Sequence, residues 1–156
     1  MAKNIPKTIP GVLLFFVRKN KRGQNEYLLH LRKNTGFNDD LYCVPGGHVE
    51  DKETYKDCAV REAKEETNTT VKKQDLKFSH LICRKGNDNN SNDYALRPDA
   101  CFIVKKWTGK IKNKEPKKHG AYEWKTKDQL FKVVPYVKKA IEYIENNVFY
   151  SEFGFL

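Results

Sequence analysis

Residues 46–69 read GGHVEDKETYKDCAVREAKEETNT, and the order of charge within this stretch decides the reading of the chain. Glu62, Glu65 and Glu66 stand at i, i+3 and i+4. On a helix turning about 100° per residue they fall within one sector of about 100°. Tyr55, Cys58, Ala59 and Ala63 mark the apolar side of that helix, and Glu62 and Glu66 project among them. Amphipathic helices keep carboxylates on the far side, and like charges at i, i+4 repel. Partly desolvated carboxylates shift their pKa or take a partner. A hard divalent cation bound through oxygen is such a partner, and Mg²⁺ is the common one where phosphate supplies further ligands. For the three glutamates alone the competing reading is a solvated charged face, since Lys56, Arg61 and Lys64 lie nearby.

The remainder of the stretch separates the two readings. Gly47, five residues, Glu53, seven residues, Arg61-Glu62-Ala63, one residue and Glu65-Glu66 resemble the Nudix box, G-x5-E-x7-R-E-U-x-E-E-x-G-U with U aliphatic. Every charged position is filled at the right spacing. Two end positions depart: Asn68 stands where the family has Gly, and Thr69 where it has an aliphatic residue. Asn tolerates the left-handed conformation that ends a helix, so Asn68 is expected to do the glycine's work. Thr69 is expected to loosen packing. The resemblance extends to Thr35-Gly36-Phe37, Leu41 to Val49, Trp107 and Gly109, Glu115-Pro116, Trp124, Pro135-Tyr136 and Tyr150-Ser151-Glu152, and points to the MutT-like bacterial branch.

That resemblance implies an α/β (α+β) chain folded as a Nudix α/β/α sandwich, with a mixed sheet between the box helix and a C-terminal helix. It implies that Glu62, Glu65, Glu66 and the backbone carbonyl of Gly46 bind Mg²⁺, with Mn²⁺ as substitute. It also makes Glu62 a candidate to activate water. Glu53 and Arg61 are implied to form an ion pair that fixes the loop against the helix. Glu115 is the candidate for a further ligand or base from a distal loop, against a plain Glu-Pro turn. Base and phosphate recognition falls to Arg32, Phe37, Gly47, His48 and Tyr136. Phe16, His30, Val134 and Arg97 are further candidates, with ordinary core packing or surface ion pairs as the competing readings.

The 156 residues make one domain, expected over 1–156. Gly11 to Arg18 and Glu26 to Arg32 read as strands around a polar turn containing Gly23; Leu41 to Val44 is extended before Pro45. A helix is expected from Lys52 to Thr67 with Asp51 as its cap and Glu53 near its positive end. Leu76 to Arg84, Ala100 to Trp107 and Tyr122 to Lys125 read as strands, and the linker from Lys85 to Asp93 as mobile. Asp128 to Phe131 reads as one helical turn. Pro135 to Asn146 reads as the closing helix, with Val137, Ile141, Ile144 and Val148 on an apolar stripe.

The apolar run Gly11 to Val17 is too short for a membrane span and no small-residue cleavage site follows it, so the protein is expected in the cytoplasm. Cys43, Cys58, Cys83 and Cys101 are far apart, which argues against a zinc ribbon or a disulfide framework. The net charge of +10 reads either as a field that steers a polyanion, nucleotide or RNA end, or as compositional drift that includes the lysines from Lys110 to Lys118. The expected activity is Mg²⁺-dependent pyrophosphohydrolysis of a nucleoside triphosphate, oxidised or non-standard ones included, to monophosphate and pyrophosphate. Alternatives are hydrolysis of ADP-ribose, a dinucleoside polyphosphate or capped RNA, and a non-catalytic nucleotide- or RNA-binding module. A homodimer is a further expectation from the resemblance.

Overall fold

The strand Gly11–Lys19 (β2) organises the molecule because both of its faces are covered. Its first seven residues are all buried, and they sort by parity. Leu13, Phe15 and Val17 enter one apolar cluster, while Val12, Leu14 and Phe16 enter another on the opposite side. A strand alternates its side chains, so a continuous apolar run means a layer on each face. The first layer is the helix Pro135–Glu145 (α2), which contributes Val137, Ala140, Ile141 and Ile144. The second is the helix Tyr55–Thr67 (α1), which contributes Cys58, Ala59 and Ala63. This is the α/β/α sandwich, described here from a computed structural model over residues 3–87 and 94–155.

β2 also changes partners along its length. From Gly11 to Phe16 it runs parallel to Tyr94–Val104 (β7), and from Val17 to Lys19 antiparallel to Asn25–Arg32 (β3). The sheet is therefore mixed. Lys7–Thr8 (β1) runs parallel to β7, Tyr42–Cys43 (β4) pairs with β3, and Gly46–His48 (β5) pairs with β2. Leu76–Asn87 (β6) lies beside β7, His119–Thr126 (β8) beside β3, and Tyr150–Phe153 (β9) parallel to β6.

Several boundaries differ from expectation for physical reasons. β6 and β7 extend through Lys85–Asn87 and back to Tyr94, so Lys85, Gly86 and Asn87 are strand, not linker; the remainder of that expected mobile linker lies outside the described residues. β7 ends at Val104, short of Trp107, and includes Pro98, which stands where β1 gives way to β2 at Ile9-Pro10. Val148 falls beyond α2 and is 37% exposed, so the stripe ends at Ile144. β9 carries no period of its own. It is held by His80, whose ring meets the Val148 carbonyl at 2.6 Å and the Ser151 hydroxyl at 2.7 Å.

Candidate active site

α1 starts at Tyr55, three residues later than expected. Thr54 is the cap: its hydroxyl accepts from the Asp57 N–H at 3.2 Å, and the Asp57 carboxylate accepts from the Thr54 N–H at 3.0 Å. Lys52 has φ 64°, which excludes it from the helix, and Glu53 lies in the approach loop rather than the first turn. At the other end Asn68 takes the left-handed conformation, φ 63°, and its N–H returns to the Lys64 carbonyl. Thr69 does not loosen the packing. It is fully buried, and its hydroxyl pairs with that of Thr67 at 2.7 Å.

The glycine pair lies directly over the helix. A Cβ on Gly46 would run into the Val12 carbonyl, and one on Gly47 into the Glu62 carboxylate. At Gly46 the obstacle is backbone, so only glycine permits the approach; at Gly47 a side chain would displace the Glu62 carboxylate. Glu66 is brought to the same place, accepting from the Gly46 N–H at 3.0 Å. Glu62 and Glu66 are thus buried side chains, 8% and 7% exposed, as the helical wheel predicts. Glu65 differs: its side chain is 55% exposed and lies 3.3 Å from Arg61.

Arg61 joins loop to helix. Its guanidinium donates to Glu53 at 2.7 and 3.0 Å, to Glu62 at 2.8 Å and to the His48 carbonyl at 2.9 Å. Glu53 in turn accepts from the Glu50 N–H at 3.0 Å. The geometry is the loop-to-helix ion pair expected of Glu53 and Arg61.

The electrostatics leave room for a cation. Burial pushes Glu62 up to about 7, with Arg61 opposing and the charges of Glu65 and Glu115 reinforcing. Burial also raises Glu66 well above the ordinary carboxylate range, with the Glu62 charge adding to it and the Gly46 N–H relieving part. Two buried carboxylates served by one arginine and one N–H fit a divalent ion, which removes the penalty on both. A prediction for metal-free protein follows from the sign. The folded-state pKa of Glu62 lies above its unfolded value, so stability is full below about 4.5 and is lost as pH rises through about 7. Buried His30 and His119, whose imidazoles are lowered, act in the opposite sense over the same range, so the expected signal is a difference. Between pH 5 and pH 8 in chelator the wild type should lose the equivalent of roughly 3 kcal/mol relative to Glu62→Gln, and millimolar Mg²⁺ should remove that loss. A pH-independent difference between the two proteins in chelator would contradict the raised Glu62 carboxyl.

A cleft of about 780 Å³ opens beside the glycine pair. All five residues expected at the substrate, Arg32, Phe37, Gly47, His48 and Tyr136, line it. Arg32 is already engaged, donating to the Phe37 carbonyl at 2.9 Å and to the Thr35 hydroxyl at 3.0 Å, so it shapes the loop that carries Phe37. The His48 ring meets the guanidinium of Arg97 on β7, and both line the cleft. Sequence reasoning missed the pair in the cleft wall: Arg84 bonds Asp99, and its guanidinium sits 4.1 Å over the Tyr136 ring. An acidic residue set directly before the apolar run Ala100 to Val104 was the available signal.

Three candidates lie away from the cleft. Phe16 and Val134 are core residues at 0% exposure. His30, 1% exposed, packs its ring 3.9 Å from that of His119. Glu115 does approach the carboxylates: the loop after β7 crosses the end of α1, with the Lys112 N–H on the Thr67 carbonyl and the Lys114 N–H on that of Glu66. This carries Glu115 to 3.9 Å from His119 Nδ1, and His119 Nε2 to 3.9 Å from Glu66. Burial lowers both imidazoles, His30 to about 3 and His119 to about 4. The cysteines are free thiols; Cys58 is pushed up to about 12 by burial, which makes it a poor nucleophile.

A sandwich that sets buried carboxylates beneath a glycine pair, beside an arginine-bearing cleft, has the equipment of a hydrolase acting on phosphoric anhydrides. The chain belongs to the NUDIX domain family, whose model matches residues 7–146, and it is such a hydrolase. Solved structures share the fold. A MutT NUDIX hydrolase from Burkholderia pseudomallei is 20% identical with TM-score 0.70, over 87% of this chain and 97% of that one. The MutT protein from Methanosarcina mazei Go1 is 20% identical with TM-score 0.64, over 92% and 97%. An Ap4A hydrolase from C. elegans is 17% identical with TM-score 0.65, over 89% and 96%.

Proposed function

We propose that the protein is a Mg²⁺-dependent pyrophosphohydrolase that converts a nucleoside triphosphate, including oxidised or non-standard ones, to monophosphate and pyrophosphate. The observation that carries this reading is the placement of buried Glu62 and Glu66 under Gly46-Gly47 at the edge of a cleft that also holds arginines and aromatic rings. Glu62, Glu65, Glu66 and the Gly46 carbonyl hold the ion. Bound there, Mg²⁺ neutralises phosphate charge and favours attack by water.

The chain's own residues do the rest. Tyr136 and Phe37 flank the base, Arg97 and His48 meet phosphate oxygens, and Glu62 accepts a proton from the attacking water. The water oxygen bonds to phosphorus as the bridging P–O bond breaks, and monophosphate and pyrophosphate separate. Arg61 keeps Glu53 and the glycine loop in register with the helix. The unit is a single domain over 1–156 acting on a diffusible nucleotide in the cytoplasm, and no helix among the described residues is long and apolar enough to cross a membrane.

A substrate panel with Mg²⁺ or Mn²⁺ tests this directly. It should hold the common and oxidised nucleoside triphosphates, ADP-ribose, a dinucleoside tetraphosphate and a capped RNA. Monophosphate and pyrophosphate from a triphosphate are expected. Turnover confined to ADP-ribose, the dinucleotide or the capped RNA would replace the substrate class. Salt-sensitive RNA binding with no turnover of any member would overturn the enzyme reading.

A further inference from the structure

His30, Glu66 and His119 come from β3, α1 and β8, and each can offer one ligand atom with all three atoms within 4.8 Å of one another. They are 1%, 7% and 5% exposed. The two histidines meet because the β3–β8 register shifts between His30 and Arg32, a bulge that re-aims side chains. Nδ1 of His30 and Nδ1 of His119 are both buried without a hydrogen-bond partner. Buried polar atoms are almost always satisfied, so the orphaned Nδ1 of His30 calls for a ligand; that of His119 faces Glu115, which leaves its Nε2 toward Glu66.

The geometry points to a binding site for one divalent transition ion of the zinc class, held by His30, Glu66 and His119. Two imidazoles and one carboxylate are a borderline ligand set, suited to Zn²⁺ and its neighbours; Mg²⁺ prefers an all-oxygen shell. Neighbouring ligands on a tetrahedral Zn²⁺ stand about 3.4 Å apart, given bond lengths of about 2.0–2.2 Å. Ligation closes the 3.9 Å between His119 Nε2 and Glu66, and the wider separations within the 4.8 Å set, toward that value, and splays the His30 and His119 rings from their 3.9 Å centroid spacing. An outer partner stands near: the Glu115 carboxylate lies 3.9 Å from His119 Nδ1, on the far side of the ring from Glu66, and a shift of about 1 Å or less would make it a hydrogen bond. A carboxylate behind a ligating histidine fixes its tautomer and raises its basicity. Glu66 belongs also to the carboxylate set assigned to Mg²⁺ above. Where that assignment holds, a zinc-class ion withdraws Glu66 from it.

The test uses purified full-length protein, stripped of metal and titrated with Co²⁺ as a spectroscopic probe and with Zn²⁺ by calorimetry, in millimolar Mg²⁺ throughout. One Co²⁺ per chain with visible d–d absorption is expected, displaced by one equivalent of Zn²⁺. His119→Gln and His30→Gln should each weaken Zn²⁺ binding at least 100-fold, and Glu115→Gln about tenfold. Wild-type histidine ring ¹⁵N resonances supply a measurement that survives a variant's failure to fold. Zn²⁺ should shift those of His30 and His119 and leave that of His80 in place. Absence of tight Zn²⁺ binding to the wild type, unchanged binding by the histidine variants, or Zn²⁺-induced shifts confined to other groups would overturn the site. None of these readouts requires turnover, so they stand or fall separately from nucleotide hydrolysis.

Discussion

Joint replacement of Glu65 and Glu66 by glutamine is expected to slow nucleotide turnover by about 10³-fold, equivalent to about 4 kcal/mol of lost transition-state stabilisation. The substitution keeps shape and removes charge. The amide oxygen at position 66 can still accept the Gly46 N–H, so the loop that carries the glycine pair keeps its anchor. Burial penalises Glu66 as an anion, and the neighbouring Glu62 charge adds to that penalty. Removing the charge should therefore leave the metal-free melting temperature above pH 7 unchanged or higher, while Mg²⁺ no longer raises it. Loss of activity together with retained or increased apo stability distinguishes a lost ligand from a damaged fold. Steady-state kinetics with Mg²⁺, paired with thermal scans in chelator, check both halves. Turnover within twofold of wild type would remove these glutamates from metal binding.

The second large effect is expected at Arg61. One guanidinium serves Glu53, Glu62, Glu65 and the His48 carbonyl, and its side chain is 21% exposed. Arg61→Leu leaves partly buried carboxylates facing one another and a carbonyl without its donor. Breaking a fully buried pair costs about 3–5 kcal/mol; partial exposure here brings the expectation to about 3 kcal/mol. At about 2–4 °C per kcal/mol for a chain of this size, the melting temperature should fall by roughly 6–12 °C. Turnover should fall by about 10²-fold, since the glycine loop is no longer held over Glu62. Arg61→Lys should recover little of either, because a point ammonium cannot reproduce the two-pronged contact with Glu53. A lysine variant with wild-type stability and turnover would show that charge alone suffices at this position.

What was legible in the sequence follows from the range of the interactions. The box helix and the burial of Glu62 and Glu66 come from a period of 3.6 within a short window, and the apolar run from Gly11 reads locally as a strand; its burial on both faces emerges only from the two helices that cover it. The start of α1 was misplaced because Asp51 and Thr54 are both capable caps. The Thr54–Asp57 exchange and the left-handed Lys52 settle the matter only in three dimensions. The proximity of His30 and His119 depends on the register of strands nearly ninety positions apart and on a bulge, neither of which has a local signature. The Arg84–Asp99 pair likewise depends on how β6 and β7 align. Arg32, Phe37, Gly47, His48 and Tyr136 converge on one cleft, although a base-stacking role and a core role looked alike for the aromatics in sequence.

The division of β2 between two apolar clusters has a consequence for how the chain tolerates change. An inserted or deleted residue between Gly11 and Val17 would exchange the two sets of side chains, sending Leu13 and Phe15 toward α1 and Val12 and Leu14 toward α2. It would also shift Gly46 and Gly47, which are paired to Leu13 and Val12, away from Glu66 and Glu62. Length variation that the polar turn at residues 20–24 can absorb is thus forbidden a few residues earlier, and the two halves of the protein are free to diverge in composition but not in phase.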